Sequence, residues 1–163
     1  LELKDFKISN RFQFFDRNEE GWDGGIRLIY THADGDKKPG SVELRGMAQI
    51  PFAEKWEYRH NLMWSHDVGE DSTSGLELQL RHRITYSFEG VSDVMKIIKV
   101  GADMINNFGR LKELNGYSNQ EHVAGPMVYS AFENGAYIQA GYRRGLSKKA
   151  ANNLVKFDLG YKF

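Results

Sequence analysis

The chain has 163 residues, which suits one domain spanning 1–163, and its 22 Lys and Arg balance its 22 Asp and Glu. A balanced charge argues against nucleic acid as a partner. Mean hydropathy is −0.57, and no apolar run in the sequence approaches the ~18 residues that a transmembrane helix needs.

Alternation of apolar and polar residues with a period of two dominates the chain and predicts an all-β fold with little helix. Nine strands are predicted, over residues 6–14, 22–31, 42–52, 56–65, 76–88, 94–104, 123–132, 136–146 and 155–163. The sixth segment is less regular than the others. The seventh is ambiguous between faces, and Pro126 within it predicts a bulge or a weakened pairing position.

The last segment has the clearest alternation. One face carries Val155, Phe157, Leu159, Tyr161 and Phe163, and the other carries Lys156, Asp158, Gly160 and Lys162. A strand with one apolar and one polar face is therefore predicted at the end of the chain.

The predicted strands are long and their connections alternate in length. Most strands have about 9–13 residues, as tilted membrane-spanning strands require, whereas strands of soluble proteins have a mode of about 5–6. Short connections at 53–55, 89–93 and 133–135 alternate with longer ones at 34–40, 67–75, 106–120 and 147–153. Such alternation is typical of short periplasmic turns and long extracellular loops.

The aromatic pattern of the last strand resembles the assembly signal of the bacterial outer-membrane β-barrel superfamily, at positions Phe157, Leu159, Tyr161 and Phe163. The resemblance implies an antiparallel up-and-down transmembrane β-barrel in the bacterial outer membrane. It also implies contact with outer-membrane lipid and lipopolysaccharide, and recognition by the barrel-assembly machinery during biogenesis. The rival interpretation is a soluble lipocalin-like barrel, which would bury its apolar face instead.

Nine is an odd number, whereas bacterial single-chain barrels have even strand numbers. Either an N-terminal strand is missing or the first segment does not span, and we favour a parent barrel of about 10–12 strands. The chain begins at Leu1 without a charged-then-apolar leader, so we interpret it as mature or trimmed.

Within the superfamily, inward-facing arginines, the stretch Tyr58-Arg59-His60 and the modest size are similar to oligogalacturonate-type porins. Those proteins are narrow monomeric channels for acidic sugars, with basic residues lining the barrel. The similarity implies a channel for small anionic solutes.

If the apolar set faces lipid, the alternate set faces inward and carries more basic than acidic residues. The predicted pore-lining residues are Arg27, Arg45, Arg59, Arg81, Arg83, Lys99 and Arg143. Two interpretations stay open. The arginines guide anions through an open lumen, or they pair with Glu and Asp of neighbouring strands and fill a narrow barrel.

No arrangement of side chains predicts catalysis. His32, His60, His66 and His82 fall on the apolar faces of their strands, away from a barrel interior, and no Ser, His and acid have the spacing of a triad. We therefore predict that the protein is not an enzyme and has no cofactor or metal site. The predicted function is passive diffusion of small anionic solutes, and the alternative is a closed barrel with a structural or adhesion role.

Overall fold

The computed structural model describes residues 5–33, 39–69, 72, 75–114 and 116–162. The strands are β1 (Asp5–Phe15), β2 (Asp23–Ala33), β3 (Gly40–Ala53), β4 (Trp56–Val68), β5 (Leu76–Glu89), β6 (Met95–Arg110), β7 (Glu121–Phe132), β8 (Ala136–Gly145) and β9 (Asn153–Tyr161). A single α-helical turn in the described residues, α1 (Arg17–Glu20), and two 3-10 turns (Leu111–Glu113 and Tyr117–Asn119) complete the structure. None of these helices has the length and apolar character needed to cross a membrane.

The nine strands form one antiparallel sheet in the order of the chain, from β1 to β9. The predicted all-β, up-and-down arrangement of nine strands is confirmed. The sheet is not closed, because β1 and β9 are its edges and are not paired with each other in the described residues. Since neighbours are antiparallel, β1 and β9 run in the same direction.

The first connection contains the helical turn α1, which the sequence pattern did not predict. The Asp16 side chain accepts a hydrogen bond from the Asn18 backbone N–H at 2.8 Å, and Gly21 ends the turn with a φ of 77°. Trp22, predicted within the second strand, instead precedes β2 and stacks on Phe15 with ring centroids 4.4 Å apart. The aromatic stack therefore belongs to the turn.

Strand β6 runs six residues beyond its predicted end at Met104 and reaches Arg110. The connection predicted over 106–120 therefore spans only 111–120. The polar pair Asn106 and Asn107 suggested a loop, but the Asn106 side chain is buried and lies 2.9 Å from His122 Nδ1. A tertiary contact thus keeps the strand regular where local polarity predicted its end.

Pro126 interrupts the pairing of β7 with β8 without forming a bulge. Strand β7 pairs with β8 at Ala124 and again at Met127, and the register is unchanged across the gap. Pro has no backbone N–H to donate to a ladder. Its pairing with Ala102 of β6 on the other side is retained.

The two faces of the sheet have opposite polarity. The apolar face carries large, well-exposed side chains on every strand, among them Phe6, Ile8, Phe12, Leu28, Tyr30, Val42, Leu44, Leu76, Ile84, Val100, Val128, Phe157 and Leu159. The polar face carries Glu57, Thr85, Asp103 and Arg143, which are all buried. Three charged side chains, those of Glu57, Asp103 and Arg143, are therefore buried while apolar side chains point outward, the reverse of an ordinary soluble domain.

The sheet curls so that its polar face is concave. Arg83 of β5 donates to Gln139 of β8 at 3.3 Å, although two strands lie between them. Neighbouring strands are about 4.8 Å apart, so these two side chains would not meet across a flat sheet. Ile29, Val123 and Met127 are the buried hydrophobic strand residues in the described part of the chain.

Candidate functional site

The strand register places basic side chains of neighbouring strands directly opposite one another on the concave face. Arg11 is opposite Arg27, and Arg27 is opposite Arg45, on three consecutive strands. Arg59 of β4 is opposite Arg83 of β5. Like charges directly opposite one another in a ladder are unfavourable unless something compensates them.

Glu57 is the centre of the first ionic cluster. Its carboxylate is 3.0 Å from Arg17 Nη2, 2.8 Å from Arg59 Nε and 3.3 Å from Lys99 Nζ, and it also accepts a hydrogen bond from Gln49. Glu57 is only 5 % exposed. Arg17 comes from the α1 turn, so this cluster ties the first connection across the concave face to β4 and β6.

Asp103 is the centre of the second cluster. Arg143 donates to both carboxylate oxygens, from Nε at 2.6 Å and from Nη2 at 2.7 Å, and Arg83 Nη2 donates at 3.1 Å. Asp103 is 2 % exposed. A two-point guanidinium–carboxylate pair with little solvent is among the stronger ionic contacts in proteins.

The two clusters carry an excess of positive charge. Five cations (Arg17, Arg59, Arg83, Lys99 and Arg143) share three carboxylates (Asp23, Glu57 and Asp103), because Arg17 also pairs with Asp23 at 3.3 Å. Each cation has an acidic partner, but the five cations and three carboxylates together carry a net charge of +2. The concave face is thus suited to bind anions.

The remaining predicted pore-lining residues lie on the same face but outside these clusters. Arg27 donates to Ser9 at 2.8 Å, and Arg45 forms an ion pair with Glu43 on its own strand. Arg81 lies within the electrostatic influence of Asp103, Arg143 and other arginines, and its buried Nε has no hydrogen-bond partner in the described residues. The structure therefore joins Arg59, Arg83, Lys99 and Arg143 through shared carboxylates and leaves Arg27, Arg45 and Arg81 beside them.

The predicted assembly-signal residues lie on edge strand β9, where Phe157, Leu159 and Tyr161 are on the apolar face and well exposed. Phe163, the fourth member, lies outside the described residues. Five of the seven residues of the loop predicted over 34–40, and four of the nine predicted over 67–75, also lie outside them.

The histidines lie on the apolar face, as the alternation predicted for four of them. His60 and His82 are opposite each other, with their Nδ1 atoms 3.3 Å apart, and Tyr58 Oη is 2.6 Å from His82 Nδ1. His122, at the start of β7, stacks on Tyr117 with ring centroids 4.4 Å apart. No cluster of three or more His, Cys, Asp or Glu suited to a metal ion occurs in the part of the chain that the structure describes.

Several residues of the concave face were not singled out from the sequence. Arg17 lies in a helical turn that the alternation did not predict. Gln139 and Tyr129 line the space beside Arg83, but Tyr129 lies in the segment whose faces were ambiguous. Only the register that β7 adopts with its neighbours assigns Tyr129 to the polar face.

Comparison with known proteins identifies no relative. No protein-family model matches the chain, and neither a characterised protein nor a solved structure shows significant similarity to it. Its function has to be inferred from the polarity of the two faces and from the ionic clusters.

Proposed function

We propose that the sheet belongs to a transmembrane β-barrel of the bacterial outer membrane, and that the protein is a passive channel for small anionic solutes such as acidic oligosaccharides. The observation that carries the proposal is the reversed polarity of the sheet, with apolar side chains exposed on the convex face and the charged side chains of Glu57, Asp103 and Arg143 buried on the concave face. Such a distribution suits a lipid environment outside and a hydrated interior.

Strand length supports the same environment. The strands have between 9 and 16 residues. A strand crossing a bilayer with a tilt of about 45° needs about 9–11 residues. Trp56 of β4 and Tyr86 of β5 pack edge to face close to the short β3–β4 turn, where an aromatic girdle is expected at the membrane interface.

Closure of the barrel requires further strands. Because β1 and β9 run in the same direction, an antiparallel closure needs an odd number of additional strands between them. One or three more would give about 10–12 strands, an even number of the kind that bacterial barrels have. A larger strand number also favours an open lumen, because about eight strands leave room only for side chains.

Selectivity for anions is supported by the excess of cations in the two clusters. Guanidinium groups bind carboxylates in a planar fork, and rings or tracks of Arg select anions in pores. The alternative function, a closed barrel with a structural or adhesion role, is favoured by the buried ion pairs of Asp103, which occupy interior space.

Planar-bilayer recording decides between the two functions. We expect the protein to conduct, with a reversal potential that indicates anion preference in a salt gradient. A triple variant in which Arg59, Arg81 and Arg83 are each replaced by Ala should have a reversal potential shifted toward cation preference. The matched control replaces three exposed cations outside the clusters, Lys55, Lys112 and Lys148, and should leave it nearly unchanged. An unchanged reversal potential in the folded Arg variant would favour the closed barrel.

A further inference from the structure

One cavity on the concave face has a lining unlike the rest of the interior. It has a volume of about 270 Å³, and its polar lining residues are Arg59, Arg83, Thr85, Lys99, Tyr129 and Gln139. We name it the basic cavity. Three of its lining side chains are cations, and no carboxylate is among the described residues that line it.

The cations of the basic cavity are held in place from outside it. Glu57 anchors Arg59 through Nε and also anchors Lys99, whereas Asp103 anchors Arg83 through Nη2. Glu57 and Asp103 do not line the cavity themselves. Arg has five N–H donors and Lys has three, so each cation keeps donors for a ligand while its position is fixed.

Thr85 provides a second, independent observation. It is 2 % exposed and lines the basic cavity, and its hydroxyl has no hydrogen-bond partner in the described residues. Buried polar side-chain atoms nearly always have a partner, either in the protein or in a bound molecule. Thr85 therefore has an unpartnered hydroxyl and lines the same cavity as three cations that have spare donors.

We propose that the basic cavity binds a single oxyanion, the carboxylate or phosphate group of a small solute. Arg59, Arg83 and Lys99 supply the positive charge, and the Thr85 hydroxyl donates a hydrogen bond to the anion. The planar guanidinium fork matches the two oxygens of a carboxylate or phosphate. The cavity is smaller than the about 300–1,000 Å³ typical of sites for drug-sized ligands, so it suits one small acidic solute better than a longer chain.

This site rests on the proposed channel only for the route by which a solute arrives, and its binding can be measured without conduction. The refolded full chain in detergent is titrated calorimetrically with inorganic phosphate and with galacturonate. The neutral methyl ester of galacturonate serves as the ligand control. We expect saturable binding with one site per chain for both anions and none for the ester. Phosphate binding without galacturonate binding would restrict the ligand class to phosphates.

Two variants assign the binding to this cavity. Thr85→Val keeps the side-chain shape and removes the hydroxyl, and we expect about tenfold weaker binding, as for loss of a hydrogen bond to a charged group. Arg83→Lys keeps the charge and removes the fork, and should weaken carboxylate binding as well. Thr31→Val on β2 and Arg144→Gln, which is exposed on β8, are the matched controls and should bind like the unchanged protein.

The outcomes separate this site from the channel. Anion binding that depends on Thr85 and Arg83, in a protein that conducts no current, would support the site and overturn the channel. Anion-selective conduction without saturable binding, or binding unaffected by both variants, would overturn the site and leave the channel in place.

Discussion

Arg143 reaches Asp103 across the whole width of β7, and the strand between them carries Gly125 at the crossing point. Asp103 is opposite Gly125 in the register of β6 and β7. A Cβ atom at Gly125 would collide with the Tyr142 carbonyl oxygen and lie 3.0 Å from Arg143 Cα. Glycine therefore permits the close approach of β7 and β8 that brings the guanidinium to the carboxylate.

Removing the charge of Asp103 should destabilise the protein strongly. Asp103→Asn leaves the buried guanidinium of Arg143 without its paired carboxylate and also removes the ion pair of Arg83. We expect a loss of roughly 3–5 kcal/mol in the free energy of unfolding, as for other broken buried pairs. Urea unfolding in detergent, followed by tryptophan fluorescence, measures it.

The control for that variant is Asp158→Asn on β9, which removes a carboxylate paired with Lys156 at 2.7 Å in a partly exposed position. Exposed pairs contribute about 0–1 kcal/mol, so its unfolding midpoint should hardly move. Equal effects of the two variants would show that burial of Asp103 does not determine its contribution.

Gly101 is predicted to resist substitution. A Cβ atom there would collide with the Ile84 carbonyl oxygen and lie 2.9 Å from Thr85 Cα, so β5 and β6 would have to separate. We expect Gly101→Ala to cost about 1–3 kcal/mol of stability, as for other cases of overpacking. Gly46→Ala is the matched control, because its nearest neighbour, the Leu62 carbonyl oxygen, is 3.9 Å away. Equal thermal stability of the two variants would contradict the prediction.

The two ends of the sheet should face different compartments. With the long connections outside the cell, Cys introduced at Ser118 should react with a membrane-impermeant maleimide in intact bacteria. Cys introduced at Glu54, in the short turn between β3 and β4, should react only after the outer membrane is disrupted. The chain has no native Cys, so the maleimide can label this protein only at the introduced residue. The opposite labelling pattern would reverse the orientation.

Assembly should depend on the end of β9. Deleting Phe163 should lower the amount of protein in the outer membrane, because the superfamily resemblance assigns this aromatic to recognition by the assembly machinery. Lys162→Gln changes the neighbouring residue and should assemble normally. Quantitative immunoblotting of outer-membrane fractions compares the variants, and equal amounts of both would argue against recognition through Phe163.

The sequence predicted what depends on strand periodicity and missed what depends on curvature. Arg59 and Arg83 share a face because a period of two places every second residue on one side of a strand. Their partners follow from the curl of the sheet, as in the contact of Arg83 with Gln139. No local pattern encodes that contact, because it depends on how several strands bend together.

The α1 turn was missed for a different reason. It has four residues, and its N-cap is Asp16, a residue type that is also common in ordinary turns. Arg17 belongs to the site because its guanidinium donates a hydrogen bond to Glu57, which lies 40 positions further along the chain. A short turn thus acquires its role only through a distant strand.

The shared direction of β1 and β9 also limits how the two ends of this chain can be joined in a circular permutant. A peptide joining the end of β9 to the beginning of β1 has to travel the full height of the sheet. At about 3.3 Å per residue, roughly ten residues are needed to span that height. In a circular permutant with a short glycine linker, β1 or β9 would therefore be unable to stay paired with its neighbour in the sheet. A linker with alternating apolar and polar residues would itself be a tenth strand, antiparallel to both of its neighbours.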